Sequence, residues 1–162
     1  MTVSGFASAE VEAAWNSVSR RIDALVALVA SRGADELNWR PPAPEANSLY
    51  VLATHTIANA RQGLLAVLCR HDDDRDRDAE FLAAGDSGQP LERYWHALRS
   101  EIRDSLAALP AARLDETHLH PRQGELTGRE TLLLVATHAA EHLGQAELTR
   151  DLLTASRGGD GG

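Results

Sequence analysis

The sequence predicts an all-α protein, a four-helix bundle, on three observations. Four segments repeat apolar residues at three- and four-residue steps, the period of a helix with one buried face. No segment shows a convincing alternation of apolar and polar residues, so no strand is predicted. Proline-rich, glycine-rich and acidic stretches separate the four segments and are typical of connections. Helices of about twenty residues that each have one apolar face bury it by packing together as a bundle.

The first two predicted helices are separated by a proline-rich loop. The first helix runs from about Ser8 to Ser31, and Gly33 favours its end. Three prolines within four positions exclude a helix from the 35–46 segment. A second helix begins with Asn47 as its N-cap and extends to about residue 70. The apolar stripe of the first helix consists of Val11, Trp15, Val18, Ile22, Leu25, Val26 and Val29.

A long acidic connection, residues 71–89, precedes the third predicted helix. Its most charged run, residues 71–78, lacks the glycine and the closing glutamate of a calcium loop, so we interpret it as a solvated loop. Pro90 suits the first turn of the third helix, whose stripe includes Tyr94 and which ends at Pro110. The length of the connection favours a crossover, and therefore an up-down-down-up order of helices with long connecting loops.

A capping box marks the start of the fourth predicted helix. The hydroxyl of Thr127 can accept a hydrogen bond from the backbone amide of Glu130, while the glutamate side chain accepts one from the backbone amide of Thr127. This helix extends to about Ser156. We therefore predict a single bundle domain over residues 1–156, followed by a flexible glycine-rich tail over residues 157–162.

Composition excludes several classes of function. The net charge is −8 and the pI is about 5.3, which disfavours nucleic acid as a partner because binding to phosphates depends on a basic surface. No apolar stretch is long enough for a membrane span, and no secretory leader is visible, so we expect a cytoplasmic protein without a membrane partner. Cys69 is the only cysteine, so any metal site must use histidine and carboxylate ligands.

Two histidines of the fourth helix, His138 and His142, are one helical turn apart. Residues four apart project from the same side of a helix, so both rings can bind one ion. Leu134 lies one turn before the pair and Ala146 one turn after it, which places both rings on the apolar stripe. Two unpartnered imidazoles on a buried stripe would be costly to desolvate, whereas a metal ion would satisfy both.

A third ligand is expected from a facing helix, and His55 is the only histidine within the second one. It lies one turn after Leu52 and hence also on an apolar stripe. With His138 and His142 it completes a three-histidine metal site. The alternative interpretation is a bundle whose histidines only pack.

The other histidines lie in positions that favour less specific roles. His96 belongs to the more polar side of the third helix, and His71 follows the end of the second. His118 and His120 lie in a loop, where alternate residues could share a metal or simply be solvated.

A protease motif also has to be weighed. His138-Ala-Ala-Glu141-His142 matches the H-x-x-E-H signature of inverted zinc metalloproteases. Those enzymes need a further carboxylate ligand far downstream, and only twenty residues follow His142. A protease is therefore disfavoured, and Glu141 is interpreted as a polar flank.

These motifs resemble the DinB-like superfamily of four-helix-bundle metalloenzymes over nearly the whole chain. The resemblance rests on Leu52-Ala-Thr-His55, on His138-x-x-x-His142-x-Gly-Gln145, and on Leu37-Asn-Trp39-Arg-Pro41 ahead of an Asn47-Ser48 helix start. It implies an up-down-down-up bundle, often a homodimer, with a divalent metal such as zinc or nickel on the three histidines. Some members are S-transferases that use low-molecular-weight thiols such as mycothiol or bacillithiol, and many have no known activity.

The resemblance thus suggests a metal-dependent thiol S-transferase acting on a small-molecule thiol and an electrophile. Three neutral histidines leave a coordination position open, as in catalytic metal sites. Gln145 and Asn59 could orient ligands from behind, or only pack at the bundle surface. The alternative function is a non-catalytic, stress-related bundle protein that binds a metal or another ligand.

Overall fold

Helices make up most of the structure, a computed structural model that describes residues 5–6 and 8–158. Helix accounts for 69% of the chain, and a small two-stranded sheet is added to it. The apolar stripe predicted for the first helix is buried throughout. The α-helices are α1 (Ala9–Ala30), α2 (Ala34–Leu37), α3 (Leu49–Ala60), α4 (Arg77–Phe81), α5 (Gln89–Ala107) and α6 (Gly128–Gly158).

The second predicted helix begins one residue later than expected and changes its period midway. The N-cap of α3 is Ser48, whose Oγ accepts the amide of Val51 at 3.2 Å, and not Asn47. From Arg61 to Leu68 the chain continues as a π-helix, hereafter the π segment. A π-helix is rare and often marks a functional region.

The prediction that the chain has no strands is wrong. Strands β1 (Thr117–His120) and β2 (Gly124–Thr127) form an antiparallel hairpin in which Thr117 pairs with Thr127. Gly124 takes a φ of 75° at the turn, a conformation that suits glycine. Four residues per strand are too few for alternation to stand out in the sequence, which explains the error.

The run 71–78 was predicted to be a solvated loop, but α4 begins within it at Arg77, and Glu80 further along the connection is buried. Pro90 lies in the first turn of α5, as predicted. Tyr94 departs from the predicted stripe of that helix, since 49% of its surface is exposed. The fourth helix continues through Gly158, whereas residues 159–162 lie outside the described part of the chain.

The core forms where α6 packs against α1 and α3. Trp15 of α1 and Trp95 of α5 are both buried, with ring centroids 6.3 Å apart. Among the described helices none combines the length and apolar character needed to cross a membrane. The up-down-down-up order remains a prediction.

Candidate metal centre

Three histidines from two facing helices converge on one point. Nε2 of His138 lies 3.0 Å from Nε2 of His55 and 3.1 Å from Nε2 of His142. His55 is supplied by α3, and the other two come from successive turns of α6, which the capping box of Thr127 and Glu130 begins as predicted. Among the described residues, these are the histidine, cysteine or acidic side chains that group as a possible metal site.

The second ring nitrogen of two of these histidines has a partner that fixes the tautomer. Nδ1 of His55 donates to Oε2 of Glu80 at 2.7 Å, and Nδ1 of His142 donates to Oε1 of Gln145 at 2.7 Å. A neutral imidazole that donates from Nδ1 keeps a lone pair on Nε2. Both rings therefore direct a lone pair toward His138.

The three Nε2 atoms have more lone pairs than there are protons to form hydrogen bonds with them. The neutral ring of His138 can supply one proton at most, and its Nδ1 is buried with no hydrogen-bond partner among the described residues. A cation between the rings would satisfy all three Nε2 atoms. Nitrogens bound to a tetrahedral zinc are about 3.3 Å apart, close to the two distances of 3.0 and 3.1 Å from Nε2 of His138 to its neighbours. The donor set therefore fits a divalent metal.

Burial keeps the imidazoles of His138 and His142 in the neutral form that binds metals. Desolvation, helped by the neighbouring His142 and His55, lowers the pKa of His138 to about 3. Desolvation also lowers the pKa of His142, although its hydrogen bond to Gln145 opposes the shift. Because a protonated ring has no lone pair for a metal, these depressed pKa values leave His138 and His142 ready to bind at neutral pH.

A buried ion pair supports His55 from behind. Arg75 binds both oxygens of Glu80, through Nε at 2.7 Å and Nη2 at 2.8 Å. Burial alone would raise the pKa of Glu80, but hydrogen bonds from Arg75 and His55 hold it below its ordinary value. Gln62 of the π segment accepts from Nη1 of Arg75 at 2.9 Å and donates to Asp73 at 2.8 Å. The carboxylate that faces His55 is thus ionised and held in place.

This support was not predicted from the sequence. Arg75 lies in the charged run 71–78 that we interpreted as a solvated loop, and Glu80 lies further along the same connection, yet both side chains are almost fully buried. The signal that could have found them is chemical. A metal-binding histidine usually donates its other nitrogen to a carboxylate, so an acidic residue near His55 should have been sought.

A short helix covers one side of the centre. Phe81 of α4 lies against His55, with the two ring centroids 4.9 Å apart. The guanidinium carbon of Arg77 lies 4.7 Å from the centroid of the Phe81 ring, so the two side chains make a cation–π contact. The helix that supplies Glu80 therefore also shields His55 with an aromatic ring.

The hairpin histidines lie apart from the cluster and have structural partners. His118 donates from Nε2 to the carbonyl of Arg113 at 2.9 Å. Nδ1 of His120 accepts the backbone amides of Arg122 and Gln123, each at 3.2 Å. Both rings are buried, in contrast to the solvated loop that was one of the two interpretations.

Other residues singled out in the sequence differ in their exposure. His96 and Glu141 are exposed. Asn59 is buried, and its Oδ1 has no partner among the described residues. Cys69 packs against the main core, and burial raises the pKa of its thiol to about 11 despite the nearby Arg113. It is therefore a neutral packing residue.

The fold and the cluster together define a helical protein with a three-histidine centre of the kind that binds metals. The family model of the DinB superfamily matches residues 17–146, and the chain belongs to that superfamily. A crystal structure of a conserved protein from Enterococcus faecalis has a TM-score of 0.71 at 19% identity, covering 89% of this chain and 96% of that one. At this identity the likeness shows the fold alone. Comparison with curated proteins found no match.

Proposed function

We propose that this protein binds one divalent metal ion through His55, His138 and His142 and uses it in catalysis. The observation that carries the proposal is the convergence of three Nε2 atoms from two helices, with too few protons to satisfy their lone pairs. Two of the rings are held from behind by Glu80 and Gln145. Such support is typical of metal-binding histidines.

The test is metal analysis of protein purified without a histidine tag. We expect one equivalent of a divalent ion per chain after loading with zinc or nickel, and loss of that ion in His55→Ala, His138→Ala and His142→Ala. His96→Ala is the matched control, because His96 is exposed on α5 and should leave the metal content unchanged. Circular dichroism confirms that each variant is folded. Full metal content in the single-ligand variants would contradict the proposal.

As the reaction we propose S-transfer from a low-molecular-weight thiol to an electrophile. A bound divalent metal would lower the pKa of a thiol that reaches it and hold it as a thiolate. In the transfer, the sulfur forms a bond to the electrophilic carbon, the leaving group departs with its electron pair, and the thiol proton passes to water. The thiol nucleophile must come from a cosubstrate, because Cys69 is a neutral residue packed against the core.

A panel of thiols with 1-chloro-2,4-dinitrobenzene as electrophile tests this reaction. We expect thioether formation that requires both the metal and the thiol and that is lost in His55→Ala. If no thiol supports metal-dependent turnover, the protein is better described as a non-catalytic metal-binding bundle.

Several finer features belong to the proposal. Zinc or nickel as the metal and a homodimer rest on the family resemblance, the up-down-down-up order of the four long helices rests on the resemblance and on the long connection, and a cytoplasmic location is an expectation from the sequence. Anomalous scattering from crystals of metal-loaded protein would identify the ion, and light scattering would measure the oligomeric state.

A further inference from the structure

A cleft opens beside the three-histidine centre, between the 41–47 loop and α6. Its volume is about 280 Å³. Prolyl and alanyl side chains of the loop form one wall, and Leu148 and Leu152 of α6 form the other. Leu52 of α3 also lines it. We refer to this space as the loop cleft.

The loop cleft adjoins the centre on both helices. Leu52 lies one turn before His55 on α3, and Gln145 lies one turn after His142 on α6, so the cleft is about 5 Å along each helix from the ligands. Gln145 belongs to both the loop cleft and the three-histidine centre. It lines the cleft while its Oε1 accepts the hydrogen bond from Nδ1 of His142.

The lining indicates the chemistry of an occupant. Glu45 is the one charged residue among those that line the cleft, and no arginine lines it, which disfavours an anion. Leu148 and Leu152 are 60% and 44% exposed, so an apolar group in the cleft would remove both from water. Nε2 of Gln145 donates to no described residue and can donate to a carbonyl oxygen of a ligand.

The cleft also has a backbone feature and a size that suit a small ligand. Glu45 has a φ of 60°, a conformation that is uncommon outside glycine and that clusters at ligand-binding sites. The volume lies just below the range of about 300–1,000 Å³ for drug-sized ligands. One ring or a short branched chain would fill it.

We propose that the loop cleft holds the apolar group of a small neutral electrophile whose carbonyl oxygen accepts from Gln145 and whose reactive carbon reaches the three-histidine centre. This inference rests on the proposed S-transfer, of which it names the second substrate. The apolar lining suits the electrophile better than a polar thiol cosubstrate. The thiol would approach the centre from outside the cleft.

Fluorine NMR with 4-fluorobenzamide tests the inference, because this probe is neutral and combines one ring with a carbonyl oxygen. We expect it to bind the full chain more tightly than the anion 4-fluorobenzoate. Leu148→Glu places a charge in the cleft and should weaken probe binding by at least about tenfold. Leu133→Glu is the matched control, since Leu133 is 68% exposed on the same helix but does not line the cleft, and it should leave binding unchanged.

A second comparison tests whether the cleft serves the metal centre. The bound probe should show paramagnetic broadening in protein loaded with Co²⁺ but not with Zn²⁺. Equal probe affinity in Leu148→Glu and the parent, or the absence of broadening in Co²⁺-loaded protein, would overturn the inference. Titration of metal-free protein separates the two proposals, because a chain that binds no metal can still bind the probe in the cleft.

Discussion

Nδ1 of His55 donates a hydrogen bond of 2.7 Å to Oε2 of Glu80, which joins the second long helix to the short helix of the acidic connection. Hydrogen bonds to an ionised acceptor are about twice as strong as those between neutral groups. The negative charge behind the ring increases the electron density on Nε2, where a metal would bind. Glu80 would therefore influence a metal bound at the three histidines without being a ligand.

Glu80→Gln should weaken metal binding by about 10–100-fold, because the amide oxygen can still accept from His55 but carries no charge. Affinity would be measured for zinc by competition with a chelating dye. Glu147→Gln removes the same charge from an exposed position five residues beyond His142 and should change affinity little. If Glu80→Gln binds zinc as tightly as the parent, the charge behind His55 has no influence on the centre.

Arg75→Met should destabilise the protein by about 3–5 kcal/mol, because it leaves the buried carboxylate of Glu80 without its cationic partner. Urea unfolding measures the loss. Adding Glu80→Gln to Arg75→Met should recover part of it, since the double variant no longer buries an unpaired charge. Arg61→Met is the control. Arg61 pairs with the exposed Asp74, and loss of such a pair costs about 0–1 kcal/mol. Comparable losses of stability in Arg61→Met and Arg75→Met would show that the buried pair contributes no more than the exposed one.

The three histidines could be predicted to meet because their positions depend on helix period alone. His138 and His142 share a face of one helix, and His55 lies on the apolar stripe of another. Packing two apolar stripes together places the three rings at one interface between the helices. Glu80 could not be placed this way, because its position depends on the path of a connection that has no period and on an ion pair with Arg75.

The π segment could not be predicted from the periodic pattern either. Its apolar residues continue the second helix at steps of three and four, and a helix with a wider turn buries a similar set. Contact between helices gives a further constraint. A Cβ at Gly63 would lie 2.4 Å from Cγ2 of Val135, so α6 approaches the π segment closely only because residue 63 has no side chain.

Gly63→Ala should therefore destabilise the protein by about 1–2 kcal/mol, because the clash with the buried Val135 exceeds the gain from reduced backbone freedom in the unfolded chain. Gly144→Ala in α6 is the matched control. A Cβ there meets no atom within 4 Å, and the substitution should stabilise the helix by about 0.5–1 kcal/mol. Thermal unfolding of both variants gives the comparison, and a Gly63→Ala protein as stable as Gly144→Ala would show that α6 can move away at no cost.

The depressed pKa of His138 should make the metal-free protein less stable as the pH falls. In the unfolded chain this ring takes up a proton near pH 6.5, whereas in the folded protein burial lowers its pKa to about 3. Between these values the unfolded state binds more protons than the folded state. Stability therefore decreases as the pH falls from about 6.5 toward 3 and is not decreased by this group at higher pH.

His138→Gln should reduce that dependence on pH. From pH 6.5 to pH 5 the ring accounts for a loss of about 1–2 kcal/mol in the free energy of unfolding, and this part of the slope should disappear in the variant. Urea titrations of metal-free protein at several pH values measure the slope, and the range above pH 5 avoids most carboxylate titration. His96→Gln, at an exposed ring, should keep the slope of the parent. A His138→Gln protein with an unchanged slope would mean that His138 takes up its proton in the folded state as readily as in the unfolded chain.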